Sequence, residues 1–496
     1  IIMKDYLQVQ KDRIKYHIQP YKNTVHRSSL IVPEMGNCNA WIGFINHFLL
    51  KRGYKSVALK MSALDKNGNL LDSLTVEINE LRVYSFNLSK IFSKTKSFNY
   101  LVEFFSGNNL FIPFPAVIIS HWGKDFCNVV HSYNRVLNDV FENDQVNKTE
   151  VSESSFDLQI DKNYDTFFNI STGISEIKKD TVVLNYKKKN INIKKKINIS
   201  LPRLSQKTYY LSQYLPKKTN GGVLKIKQPK QDLFFGRLLA GRINKNTGAF
   251  SANHSYYDSS IKKEYFSSSE SFRTYPYFKD FNNEIRMYPI FSPCKLDIKI
   301  KVFTKDDTVV SPSYKFLSNS TSPCTININD FVNAKKIKDI TAFTLIASSS
   351  NNKIPTRVNH QLNYGECGNK NPLKCSINVS LLNEKMFVPK KRKSFVWGQF
   401  INHKNYNSKI GFCYNSSEGK SEKISIDFYN SNGKIKTLSH TLVPGESFII
   451  NSNKIFNKSQ TSEFNWYVAK SNRADLGAYS VHRNKLSKNF SGEHHF

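Results

Sequence analysis

Almost every pattern that would name a chemistry is missing from this sequence. It has no GxSxG elbow, no P-loop, no GxGxxG after a strand and no HExxH. Carboxylates are thin, 39 Asp and Glu against 72 Lys and Arg, and no pair of them stands out as a general acid and base. The seven cysteines are an odd number without CxxC spacing, so they supply neither a disulfide framework nor a zinc-ribbon pattern. Only Cys367 and Cys375 lie close enough along the chain for a local bridge. The longest apolar run, LFIPFPAVII at 110–119, is about half of what a bilayer span needs and holds two prolines. No transmembrane helix is expected. The opening IIMKDYLQVQ lacks the basic n-region and apolar stretch of a signal peptide. Ile1 and Ile2 stand before Met3, which points to a start further upstream, so the compartment stays open.

Arginine is scarce too. Lys supplies 58 of the 72 basic residues and Arg 14. The formal net charge of +33 gives a field that attracts acidic polysaccharide, nucleic acid or anionic lipid. Arg is the usual bidentate reader of phosphate and base edges, so a nucleic-acid partner rests on net charge alone. What the chain does have is burial capacity: 39% hydrophobic and 13% aromatic residues in 496 positions. That suits several domains and favours pleated, half-buried surfaces.

A repeat organises those residues. WIGFIN at 41–46 and WGQFIN at 397–402 are joined by YDTFFN at 164–169 and a degenerate RMYPIF at 286–291. A strand of alternating character follows each, then, in two passes, an Asn-Gly turn (DKNGNLLDS and YNSNGKIKT). Each pass closes on a histidine phrase: VVHSYNR, ANHSYYD, VNHQLNY and YSVHRN. Their histidines, 131, 254, 360 and 482, are spaced 123, 106 and 122 residues apart. Period-two alternation and turns every 8–15 residues predict an all-β chain, a tandem array of about four antiparallel β-sandwich domains, Ig-like or jelly-roll-like. The expected bounds are an extension at 1–24, units at 25–140, 157–258, 272–364 (degenerate) and 390–486, and a tail at 487–496. Short helices are expected over 4–17 and 135–144, with linkers at 139–160, 258–272 and 364–394. The phrase KKKNINIKKK at 187–196 reads as an edge strand guarded by charge. PKKRK at 389–393 resembles a phosphate-binding or nuclear-localisation cluster.

Two constellations are candidates for chemistry. His121, Asp125, Cys127 and His131 fall within eleven residues, a weak metal-ligand set that only a turn at 122–124 could gather. The second uses the repeat: if the first strand lies beside the last, His47 approaches His131 and His403 approaches His482. With Tyr133, Arg135, Tyr256, Asp258, His360 and Arg483, these end-of-strand groups would line a face for a sugar or an anion, ring against apolar face and polar groups against hydroxyls. No cofactor is called for. The function expected is non-enzymatic binding of carbohydrate or an acidic polymer by a surface-associated or structural protein, with homo-oligomers open. The rivals are a metal- or His-dependent glycan hydrolase centred on 120–135 and a non-specific nucleic-acid binder.

Overall fold

Alternation becomes strand throughout. The computed structural model describes residues 27–107, 115–136, 158–229, 236–257, 270–288, 296–304, 308–316, 322–350, 358–368, 373–383, 394–415, 420–455, 464–472 and 476–496. To these it adds Ile112 and the short strands 151–154, 233–234, 266–267 and 354–355. The helices expected at 4–17 and over most of 135–144, the segment PKKRK, and most of the linkers 139–160 and 258–272 lie outside the described residues, whereas the linker expected at 364–394 contains the strand Cys375–Asn383.

The first unit has eight strands in succession: β1 (Arg27–Pro33), β2 (Asn39–Ile45), β3 (Val57–Leu64), β4 (Leu70–Glu77), β5 (Val83–Asn87), β6 (Asn99–Ser106), β7 (Ile118–Trp122) and β8 (Cys127–His131). They make two antiparallel sheets, in the orders β4-β3-β6-β1 and β5-β2-β7-β8. Along β3, Val57, Leu59, Met61 and Ala63 are buried in the core between the sheets, as period two requires. β4 is an edge and its side chains are almost all exposed.

The other three units repeat this order. In the second the eight positions are Val151–Ser154, Tyr164–Ser171, Ile177–Lys188, Ile191–Leu201, Gln206–Tyr210, Val223–Gln228, Leu239–Asn244 and Phe250–His254. In the third they are Ser271–Pro276, Asn282–Met287, Leu296–Phe303, Thr308–Val310, Cys324–Asn327, Ala342–Ser348, Val358–Gly365 and Cys375–Asn383. In the fourth they are Ser394–Ile401, Tyr406–Tyr414, Glu422–Asn430, Gly433–Leu442, Ser447–Asn451, Phe464–Ser471, Leu476–Asn484 and Phe490–His494. Each unit sets strands four, three, six and one in one sheet and five, two, seven and eight in the other. The third unit complies fully, and there the first and eighth strands also pair, Ser271 with Asn383, so that its two sheets run into one. The chain is thus an all-β protein of four antiparallel β-sandwich units.

This topology corrects the phase of the repeat. Trp41–Ile45 lies in the second strand of its unit, whereas Trp397–Ile401 lies in the first of its own. The phrases look alike but end differently. In the first unit Asn46 caps a short helix, accepting from Leu49 N at 3.1 Å. In the fourth, His403 begins a turn, its carbonyl accepting from Tyr406 N at 2.9 Å. The two phrases meet face to face instead: a Cβ on Gly43 would lie 2.6 Å from Gln399 Oε1, and the His47 ring stacks on Trp397 with centroids 6.0 Å apart. Residues 487–496, expected as a tail, supply the eighth strand of unit four. The Lys-rich phrase at 187–196 is a hairpin whose second arm, Ile191–Leu201, is the expected sheet edge.

The units close on one another. β8 packs against Phe250–His254 and against Phe490–His494, and Cys375–Asn383 packs against those same two strands. The closing strands of units one, two, three and four therefore form a cycle of contacts. Cores also cross the boundaries: the core of unit one takes in Phe167 and Phe250 from unit two and Trp397, Phe464 and Trp466 from unit four. The core of unit three takes in Cys413, Tyr479 and Phe490.

A glycine marks one of these seams. In the β3–β4 turn, Asp65 Oδ1 accepts from Asn67 N and Asn69 N, both at 2.8 Å. Gly68 there has φ +74, and a Cβ on it would stand 1.9 Å from the Arg203 carbonyl of unit two. Gly53 has nearly the same φ, +67, with nothing within 4 Å. Gly53→Ala is expected to cost about 1 kcal/mol from backbone strain alone, and Gly68→Ala about 2–3 kcal/mol because the seam must also shift. Urea unfolding of both variants checks this, and equal midpoints would show that the turn does not press on unit two.

Candidate functional site

Three of the four closing strands end in histidine, and those ends meet. His131 ends β8, His254 ends the last strand of unit two and His494 that of unit four. Ring centroids are 4.5 Å apart for His131 and His254, 4.6 Å for His131 and His494, and 5.8 Å for His254 and His494. Glu493 completes the group, and one donor atom from each of the four residues lies within 4.8 Å of the other three.

Successive strand residues point to opposite faces, so Glu493 and His494 should diverge. The Glu493 carboxylate stays beside the rings because it is anchored. Oε1 accepts from His494 N at 2.9 Å, and Oε2 accepts from His131 N at 3.0 Å and from Asn253 Nδ2 at 3.2 Å. His131 Nδ1 lies 3.3 Å from the same Oε2. On the other side, His254 Nδ1 is 2.9 Å from the Ser255 carbonyl and 3.1 Å from Arg237 Nη1.

Burial sets the protonation of the group. It pushes His131 and His494 down to about 3, and His254 well below its ordinary value, with the Arg237 guanidinium adding to the effect. Burial pushes the Glu493 carboxyl up to about 7 against the pull of its donors. At neutral pH the three imidazoles are neutral and carry lone pairs. Four neutral or near-neutral donors in one place can hold a metal ion or exchange a proton.

The expected site residues are distributed otherwise than the repeat suggested. His131 and His254 do come together. His360 lies in the seventh strand of unit three, fully buried, 2.7 Å from the Tyr275 hydroxyl and 3.0 Å from the Val358 carbonyl. His482 lies in the seventh strand of unit four, with Nδ1 2.9 Å from Ser408 Oγ. Neither is equivalent to His131. His47 does not approach His131; it starts a helix and packs on Phe48 and Trp397. His403 sits edge-on to Trp122 and Tyr406, not against His482. Tyr133 and Arg135 are buried at 2% and 4% exposure, and Arg483 is held by Glu366 with Nε–Oε2 at 2.6 Å. Tyr256 belongs to a two-residue strand paired with Ser154. Asp258 lies outside the described residues.

The set His121, Asp125, Cys127 and His131 is not gathered. A turn does form, Gly123 N donating to Phe126 O at 3.0 Å, but it pairs His121 with Asn128 across the β7–β8 hairpin. His121 then contacts the Pro33 carbonyl at 2.9 Å. Glu493, His494 and Arg237 were missed, although a signal was present. NKNTGAFSANH at 244–254 and NKLSKNFSGEH at 484–494 share Asn-Lys, Phe-Ser and the final His at identical spacing. That match aligns His254 with His494 and fixes the phase.

No protein-family model matches the chain, and no curated protein matches it. Among solved structures it aligns with a tetra-tandem repeat in the extending region of a large adhesion protein, at 7% identity over 94% of this chain and 97% of that one, TM-score 0.11. It also aligns with the chicken CNTN1 FN1–FN3 domains, at 8% identity over 68% of this chain and 94% of that one, TM-score 0.09. At such scores neither alignment carries an argument.

Buried neutral histidines make the fold acid-labile. His47, His131, His360, His482 and His494 are held at about 3 and His121 at about 4, against an ordinary 6.5. Each contributes stability present above pH 6.5 and lost as pH falls from there towards its folded value, at about 1.4 kcal/mol per pH unit per proton taken up on unfolding. Glu493 works the opposite way, stabilising below its ordinary 4.5 and losing that contribution as pH rises through 7. Six groups outweigh one, so the melting temperature should fall steeply between pH 6.5 and 4. A flat profile across that window in thermal scans would contradict the burial of these rings.

Proposed function

We propose that this chain is a non-enzymatic structural protein, a rigid block of four sandwiches that works as a surface-associated or assembly-forming unit. The observation that carries this reading is the cycle of closing strands, together with cores that pass from unit to unit. Domains that move apart to expose sites would keep their cores separate. Scattering from the full chain should give a radius of gyration near about 23 Å, the value for one compact body of this length. Calorimetry should show one cooperative transition. A radius above about 40 Å, or several resolved transitions, would describe beads on a string and defeat the proposal.

A binding role for the block is supported by one outward feature. The hairpin of unit two exposes Lys187, Lys189, Lys194, Lys195 and Lys196 around its tip and edge. We infer that this arm takes an acidic polysaccharide by charge. His254, His360 and His482 lend no support to contact with a neutral sugar, since they are buried. Retention on a sulfated glycan should fall steeply with salt, and Ala at Lys194, Lys195 and Lys196 together should reduce the slope of log affinity against log salt by about 2–3. Salt-independent retention, or an unchanged slope, would refute the assignment. Tighter retention on single-stranded DNA would move it to nucleic acid.

A further inference from the structure

We infer that His131, His254, His494 and Glu493 bind one divalent first-row transition ion, with Zn2+ as the type case, which ties units one, two and four together at the seam. This goes beyond the structural reading above and does not depend on it, since a compact block could close with or without an ion.

The geometry comes first. A tetrahedron with metal–ligand bonds of about 2.1 Å has edges of about 3.4 Å, so donor atoms within 4.8 Å of one another need move together by at most about 1.4 Å at the widest pair. The donor set is three imidazoles and one carboxylate, each from the end of a strand held at both sides by packing. Supporting contacts orient the donors. Donation from His254 Nδ1 to the Ser255 carbonyl, 2.9 Å away, belongs to the tautomer that presents Nε2 to an ion, whereas acceptance from Arg237 Nη1 at 3.1 Å belongs to the other; His131 N and Asn253 Nδ2 hold the Glu493 carboxylate. Asn378, from the closing strand of unit three, donates to the His254 carbonyl and steadies that strand end. The closing strand of unit three has no histidine of its own, which leaves three imidazoles where four strands meet.

The charges decide the class of ion. Arg237 and Arg273 both act on the cluster and disfavour any cation, and Glu493 is the single carboxylate set against them among the described residues. An oxygen-seeking Ca2+ or Mg2+ gains little there. Affinity must come from imidazole nitrogen, which favours Zn2+, Co2+ or Ni2+. His494 and His131 keep 23% and 13% of their side chains exposed, which leaves a path from solvent.

The test uses the full chain without an affinity-tag histidine run, stripped with chelator and titrated with Co2+ and then Zn2+. Expected are one tightly held ion per chain by elemental analysis, a ligand-field spectrum of a low-coordinate N/O site with Co2+, and a melting temperature several degrees higher with Zn2+. His494→Asn should abolish the bound ion and the shift while its metal-free melting curve stays near that of the parent; Glu493→Gln should abolish both from a lower metal-free melting temperature, since its amide NH2 replaces an oxygen that accepts from N–H donors. If Glu493→Gln fails to fold, the partly exposed His494→Asn decides alone. The inference is overturned if the parent retains no ion after brief dialysis, or if His494→Asn binds and shifts as the parent does. Because scattering of the metal-free chain tests compactness separately, failure here leaves the structural reading standing.

Discussion

The rest of the molecule depends on how four sheet edges are satisfied where they meet. In units one, two and four the closing strand is the outer strand of its sheet, and an outer strand presents a row of backbone N–H and C=O groups with no ladder partner. These edges satisfy one another with side chains. Asn128 Oδ1 accepts from Ala252 N at 2.7 Å, Glu493 accepts from His131 N, and Asn378 donates to the His254 carbonyl. Each bond joins two units. The amide and carboxyl groups that would be costly in an apolar core are therefore the means by which the cycle closes. Unit three meets the same demand differently, pairing its first and last strands into one sheet.

Closure explains the distribution of aromatic residues as well. Trp397 packs on His47 and Phe496, and its backbone exchanges two hydrogen bonds with Phe496, both at 3.1 Å. Gly398 carries no side chain because a Cβ there would strike the His495 ring at 2.1 Å. The last ten residues are also held by three other units: Glu493 accepts from His131 N and Asn253 Nδ2 of units one and two, and Phe490 N donates to the Leu373 carbonyl of unit three at 2.8 Å. Charge is divided in the same way: lysines lie on outer faces such as the hairpin of unit two, while the interior seam holds histidines kept neutral by burial.

Strand content, the edge character of 187–196 and the count of four units were legible in the sequence because each depends on local alternation or on turn chemistry. The Asn-Gly turn read at Asn67–Gly68 forms, with Asp65 as its acceptor. Phase was harder. WIGFIN and WGQFIN share four identities, yet they occupy different positions in the eight-strand order. Short aromatic phrases recur wherever a strand passes through a core, so likeness of a phrase does not fix a place in the topology. The longer match from Asn244 to His254 with Asn484 to His494 does, because it spans a loop and a strand at constant spacing.

The sequence by itself determined that this is an all-β chain of four copied sandwiches, with strongly basic outer faces and no catalytic motif. Only the tertiary structure decided which histidines are neighbours. Residues 131, 254 and 494 belong to three separate copies, and nothing local to any one of them encodes the others. Their meeting follows from the cycle, which is set by the long-range burial of apolar faces between units and by the need to satisfy the exposed sheet edges that remain.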